Sequence, residues 1–122
     1  MIQNLFKQNI LKQDIDYDIL LADFIKLFID GYYCIKYSSN TKSRYIKLKI
    51  LLDGNGFYWY NKWYIKQILL FNDIINVVKY DSINQISIGY SSNDNYKRLH
   101  IGVCNNIQLN IIYNILILYL IK

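Results

Sequence analysis

The chain has 122 residues, of which 53% are apolar and 19% charged, a length and balance that fit one folded domain and exclude an intrinsically disordered chain. Fourteen Lys and Arg against nine Asp leave a formal charge of +5 at pH 7, which favours an anionic partner such as a membrane face, nucleic acid or an acidic protein. Proline and glutamate are absent, Ala22 is the lone alanine, and Ile and Asn abound, a composition that fits a genome rich in A and T.

At the start of the chain, Ile2, Leu5, Phe6, Ile10 and Leu11 beside Lys7 and Lys12 predict a short amphipathic helix that packs on the domain rather than entering a membrane. No signal-peptide h-region is expected, and Ile rather than Gly at position 2 gives no N-myristoylation signal with Met1 as the start. A second helix is predicted from Asp14 to Asp30. Its apolar side is Tyr17, Leu20, Leu21, Phe24, Ile25, Leu27 and Phe28, Asp14, Asp16 and Asp18 suit its N-terminus, and Gly31 suits its end. Charge is segregated here: Asp14 to Asp30 carries net −4, whereas Gly31 to Leu52 carries Lys36, Lys42, Arg44, Lys47 and Lys49 with no acid.

After Gly31 the texture changes to short β-rich runs. Seven strands are predicted: Tyr32 to Tyr37, Arg44 to Leu51, Phe57 to Tyr60, Gln67 to Leu70, Ile74 to Lys79, Gln85 to Tyr90 and Leu99 to Val103. The breakers are Ser38 to Thr41, Asp53 to Gly56, Phe71 to Asp73, Asp81 to Asn84 and Ser91 to Asn95, short enough to make successive strands antiparallel neighbours. From Asn105 the pattern is helical, with Asn105 or Asn106 as N-cap and Ile107, Ile111, Ile115 and Leu118 along one side. The apolar stretch from Ile107 to Ile121 is broken by Gln108, Asn110 and Asn114 and falls short of the roughly 18 to 20 residues of a membrane span.

Catalysis and metal binding find no support in the sequence. Cys34 and Cys104 lack metal-ligand or CxxC spacing and read as free core thiols of a reduced compartment. His100, the only histidine, falls on the last strand and reads as structural, and no nucleophile motif, paired carboxylates or phosphate loop occurs. Asp53-Gly54-Asn55-Gly56 reads as a hairpin turn rather than a calcium loop. No cofactor is expected.

Seven strands and a closing helix are the element order of the pleckstrin-homology (PH) superfold. FIDGYYCIKYSSNTKSRYIKL at 28–48 resembles the first hairpin of PH domains, DGNGFYWYN at 53–61 the next turn and third strand with its tryptophan, Trp59, and LLFNDIINVVKYDS at 69–82 the segment around Asp73-Ile74 and Val77. The resemblance implies a partly open seven-stranded barrel capped by the C-terminal helix over residues 31–122, preceded by a helical extension over residues 1–30. Where PH domains place a tryptophan in the last helix, Tyr113 stands, followed by Ile117, Leu120 and Ile121. The small membrane-associated PH-like proteins of apicomplexan parasites are a further point of similarity.

Lys36-x5-Lys42-x-Arg44 matches the PH signature for phosphoinositide headgroups. On a hairpin, Lys36 ends one strand while Lys42 and Arg44 begin the next, so the loop gathers three cations at one mouth. Arg44 suits bidentate grip of a phosphate and the lysines act as point charges. The resemblance also implies a cation from the region between the third and fourth strands, where Lys62 and Lys66 are both candidates. Some relatives that bind inositol phosphates carry a further lysine two residues before Lys36, where this chain has Cys34. Alternation turns Lys47 and Lys49 away from this pocket, towards a solvated or membrane-facing surface. Tyr37, Trp63 and Tyr64 flank the open end, where they serve packing or sit at headgroup level.

The resulting expectation is a non-enzymatic module, cytoplasmic and peripheral on a membrane leaflet, that binds phosphoinositide or phosphatidate headgroups. The alternative is a PH-like protein-interaction or scaffold domain, its partner docking on the C-terminal helix through Ile112, Leu116 or Tyr119. Single-stranded RNA binding by the tyrosine-rich sheet is disfavoured by the lack of an RNP-like motif.

Overall fold

The computed structural model describes residues 17–38 and 42–120. Helix α1 (Tyr17–Phe28) is followed by strands β1 (Tyr32–Tyr37), β2 (Arg44–Ile50), β3 (Gly56–Tyr60), β4 (Lys66–Leu70), β5 (Ile74–Tyr80), β6 (Gln85–Ser92) and β7 (Asn95–Gly102), and helix α2 (Asn106–Leu118) closes the fold. The helix expected over the first thirteen residues, and Asp14 and Asp16, lie outside the described residues. Among the described residues no helix is long and apolar enough to cross a membrane.

The strands form one antiparallel sheet in the order β4-β3-β2-β1-β7-β6-β5, the partly open barrel of the PH fold. Alternation sets its inner face. Tyr32, Cys34, Ile46, Leu48, Phe57, Trp59, Leu69, Ile86, Ile88, Leu99 and Ile101 are all buried, and their sheet neighbours on either side point outward or sit at the rims. Register follows from that burial, with Tyr32 opposite Leu48, Cys34 opposite Ile46 and Lys36 opposite Arg44. Slipping the hairpin by one residue would drive the buried set into water.

Helix α1 is tied into this core by aromatic rings. Phe28 stands 4.8 Å from Phe57 and 5.0 Å from Phe24, and Phe57 meets Phe71 edge-on at 4.9 Å. At the end of α1 the Gly31 amide donates to the Phe28 carbonyl at 3.0 Å with Gly31 at φ +90°, a left-handed stop that glycine adopts freely. A Cβ there would also fall 2.4 Å from the Lys47 side chain that lies across it.

Helix α2 begins where its side chains predict, since the Asn105 Oδ1 accepts from the Gln108 amide at 2.9 Å as N-cap. Its faces differ from expectation. Leu109, Ile112, Ile115, Leu116 and Leu118 are buried, while Ile107 is 74% exposed and Ile111 half-buried. Tyr113 does not fill the barrel end: it is half-buried with the Lys79 ammonium 4.8 Å above its ring. Nor are Ile112, Leu116 and Tyr119 free for a partner, because α2 is covered twice, by the sheet on one side and by Leu20 and Leu21 of α1 beside Leu118 and Tyr119 on another. A helix pattern with apolar residues nearly all round belongs to a helix covered nearly all round. In α1, Ile25 leaves the apolar side and is 45% exposed.

The strand boundaries hold within one or two residues except at β6 and β7. Ser91 to Asn95 is not a loop. Asn93 and Asp94 alone turn the chain, at φ 52° and 64°, and both strands run up to them. Two successive left-handed residues make the tight hairpin turn that matches strand twist, and Asn and Asp tolerate that region.

Both cysteines are free thiols, but only Cys34 is a core thiol; Cys104, just past β7, is exposed. Burial pushes the Cys34 thiol up to about 12. A native-state titration with an aromatic disulfide at pH 8 should therefore count one reactive thiol, Cys104, and two after denaturation. The ring packing of α1 gives a second expectation. Phe28→Ala should cost about 3–5 kcal/mol in urea unfolding, whereas Ile29→Ala, at a position 72% exposed, should change stability by no more than about 0.5 kcal/mol.

Candidate functional site

At the open end of the barrel, inward-facing positions continue past the apolar core and become polar. On β1 and β2 the pair after Cys34 and Ile46 is Lys36 and Arg44. On β3 and β4 the inward pair is Trp59 and Gln67, and on β6 and β7 it is Tyr90 and Lys97. These side chains, with Ser38, Lys42, Ser43, Asn61, Lys62, Trp63 and Arg98, line an open cavity of about 860 Å³. Trp59 and Tyr90 are its buried members and the six cations stand at its sides. Among the described residues no carboxylate lines it.

The cations are positioned by neutral partners. The Lys36 ammonium donates to Ser38 Oγ at 2.9 Å, and the Arg44 guanidinium donates to the Tyr60 carbonyl at 3.2 Å, which ties β2 to the end of β3. Burial, then the Arg44 charge, lowers the Lys36 pKa from its ordinary value. The single ion pair among the described residues joins Lys79 to Asp81, away from this site. An anion entering the cavity therefore meets charges that no carboxylate among the described residues has neutralised.

Lys36, Lys42 and Arg44 are brought together as their spacing implied, and of the two further candidates only Lys62 lines the cavity. Lys66 faces outward on β4, where its ammonium lies 4.5 Å above the Tyr58 ring. Leu69 has to be buried, so alternation sends Gln67 inward and Lys66 out. Lys47 is opposite Tyr33 on the outer face with its ammonium 5.3 Å above that ring, and Lys49 is paired with Tyr58.

Lys97 and Arg98 are cavity residues that the sequence reading missed. The alternation Lys97, Leu99, Ile101 continues the buried face of β7 and was the signal that could have placed Lys97. Arg98 lies one position over, on the outward side, where it donates to Ser87 Oγ and, at 2.7 Å, to the Tyr96 hydroxyl. Gly89 makes this crossing possible, since a Cβ there would fall 2.3 Å from that hydroxyl.

The β3–β4 tip beside the cavity is rigidly built. Asn61 Oδ1 accepts from the Trp63 and Ile65 amides at 2.9 and 3.0 Å, its carbonyl accepts from the Tyr64 amide at 2.9 Å, and Tyr64 takes a left-handed φ of 60°. The result holds Trp63 70%, Tyr64 87% and Ile65 58% exposed. Tyr37, the third expected flanking aromatic, instead packs edge-on against His100 at 5.6 Å.

Neither a protein-family model nor a curated protein sequence matches the chain. Solved structures do. Inner membrane complex sub-compartment protein 3 (ISP3) of Toxoplasma gondii is similar with a TM-score of 0.68 at 10% identity, over 88% of this chain and 86% of that one. The PH domain from TgAPH gives 0.56 at 13% identity over 86% of this chain and 98% of that one. PLC21 of S. officinalis gives 0.65 at 12% identity over 77% of this chain but only 16% of its own length. With the strand order and capping helix, these likenesses establish the pleckstrin-homology fold.

His100 gives this face a pH dependence. Burial, then the Arg98 charge, lowers its pKa below the ordinary 6.5, so the unfolded chain binds its proton at a higher pH than the folded one. The stability this contributes is present above about pH 6.5 and is lost as pH falls towards the folded-state pKa. In urea unfolding between pH 8 and 5, His100→Gln should flatten the loss seen in the wild type.

Proposed function

We propose that the chain is a non-enzymatic membrane-recruitment module that binds the anionic headgroup of a phosphoinositide or phosphatidate in the cavity at its open end, on a cytoplasmic leaflet. The observation that carries this reading is the gathering of Lys36, Lys42, Arg44, Lys62, Lys97 and Arg98 about one concavity with no carboxylate among the described residues of its lining. Arg44 grips one phosphate, and Lys36 and Lys42 reach further phosphate oxygens from the two ends of the same loop. Lys62 adds charge from the β3–β4 tip and Lys97 from β7.

The β3–β4 tip supports the same orientation. Trp63 and Tyr64 are amphipathic rings held out beside the cavity, and such rings favour the headgroup layer. Lys47, Lys49 and Lys66 add diffuse attraction of about 1 kcal/mol per cation near an anionic surface. The scaffold alternative loses its stated docking face with the burial of Ile112 and Leu116.

Vesicle binding of the wild type, Arg44→Ala and Lys47→Ala at low and near-physiological salt separates pocket from surface. Losing Arg44 should cost roughly 1.5–3 kcal/mol, about ten- to a hundredfold in affinity, at both salts. Losing Lys47 should cost about 1 kcal/mol, and most of that should vanish with added salt. Equal losses that vanish together would remove the pocket and leave only surface attraction.

A further inference from the structure

The outer side of strands β1 to β4 is a basic, aromatic face that takes no part in the inner cavity. Tyr33, Tyr45, Tyr58 and Tyr60 alternate with the buried positions of β1, β2 and β3 and so stand outward. Tyr45 is 74%, Tyr33 69% and Tyr60 51% exposed, too open for these rings to contribute much to the core. Lys47, Lys49 and Lys66 share the same outward side, across the sheet from Trp59 and Gln67 of the cavity.

Rings and ammonium groups are set side by side. Lys47 is the register partner of Tyr33 and rests over its ring. Lys66 is the partner of Tyr60 and lies over Tyr58, which is itself opposite Lys49. Tyr58 and Tyr60 meet edge-on with centroids 6.2 Å apart. The four strands contain no acidic residue, and none of the three lysines enters an ion pair among the described residues. Asp53, in the turn between β2 and β3, borders the face beside Lys66, where its Oδ1 accepts from the Asn55 amide at 3.0 Å.

We propose that this outer face binds single-stranded nucleic acid, its bases stacking on the exposed tyrosine rings and its phosphates meeting Lys47, Lys49 and Lys66. A nucleotide joins one flat ring to one anion, and the face repeats the complementary pair, Tyr beside Lys, on adjacent strands. Flexible lysine stems let an ammonium swing from ring to phosphate. A lipid surface or an acidic peptide answers the charge but offers no base to stack on Tyr33 and Tyr45. The lack of an RNP-like motif bears on sequence-specific reading, whereas stacking accepts any base because each has a π-face. Binding at this face is therefore sequence-tolerant.

The test uses the full chain and fluorescence anisotropy of labelled oligouridylate and oligothymidylate of about twelve nucleotides. Binding of either supports the proposal, and a preference between them assigns RNA or DNA. Affinity should fall with salt at a log–log slope of about −2, three phosphates at roughly 0.7 each, and Lys47→Gln should remove about 0.7 of it. Tyr45→Ile should weaken binding about five- to a hundredfold, the scale of one stacked base, whereas Tyr45→Phe should keep it. The same two substitutions at Tyr33 give an independent pair, with thermal unfolding by circular dichroism confirming that each variant folds. Ultraviolet crosslinking read by mass spectrometry should place adducts on the tyrosines of β1 to β3. A duplex or a poly-aspartate of equal charge that competes as well as the single strand would overturn the proposal. So would undiminished affinity in both Tyr→Ile variants, or crosslinks confined to Trp63, Tyr64 or Tyr90. Equal losses of oligonucleotide and phosphatidylserine-vesicle binding in Tyr45→Ile would overturn it in favour of a membrane face. None of these outcomes bears on the inner cavity, which is tested through Arg44 and phosphate headgroups.

Discussion

The constraint on which the open end of this molecule depends is the register of its first hairpin. Lys36 and Arg44 are directly opposite each other on the inward face, a like-charge pairing that is unfavourable in itself. It persists because the residues deeper on the same face, Tyr32, Cys34, Ile46 and Leu48, are buried only in this register. Apolar burial worth about 1.5–3 kcal/mol per large side chain outweighs the repulsion of a half-exposed cation pair. The repulsion remains as a local field that an anion relieves.

The same logic extends around the rim. Each strand pair delivers one inward pair at the open end, Lys36 with Arg44, Trp59 with Gln67 and Tyr90 with Lys97, so the core determines which side chains face the cavity. Helix α1 belongs to this arrangement through Phe24 and Phe28, whose rings stand among Phe57 and Phe71 of the barrel. Helix α2, gripped between α1 and the sheet, closes the other side with Tyr119 against Phe71 at 5.0 Å. The walls of the cavity are therefore strands anchored at one end in an aromatic core, which pre-organises the cations before any ligand arrives.

Much of this was legible in the sequence where local chemistry decides it. The hairpin cations, the Asn105 cap and Gly31 after α1 are local signals, and so is the count of seven strands. What was not legible depended on partners distant in sequence. Nothing near Lys62 and Lys66 says which faces in; the burial of Leu69 against β3 decides it. The face of α2 could not be read because α1 covers the side that a barrel alone would leave open. Lys97 and Arg98 were hidden by a turn of only two residues within a polar run of five, although the alternation leading to Leu99 and Ile101 pointed to an inward Lys97.

The central claim is that these cations form a pocket that recognises phosphate on a headgroup, beyond answering to negative charge. It is tested most directly by binding to vesicles of matched net charge in which the anionic lipid is phosphatidylserine, phosphatidate or a phosphoinositide, at near-physiological salt. The account predicts that a lipid with an accessible phosphomonoester binds at least about tenfold more tightly than phosphatidylserine, since a doubly charged group meets several donors at once. Affinities that follow net charge alone, whatever the headgroup, would contradict it.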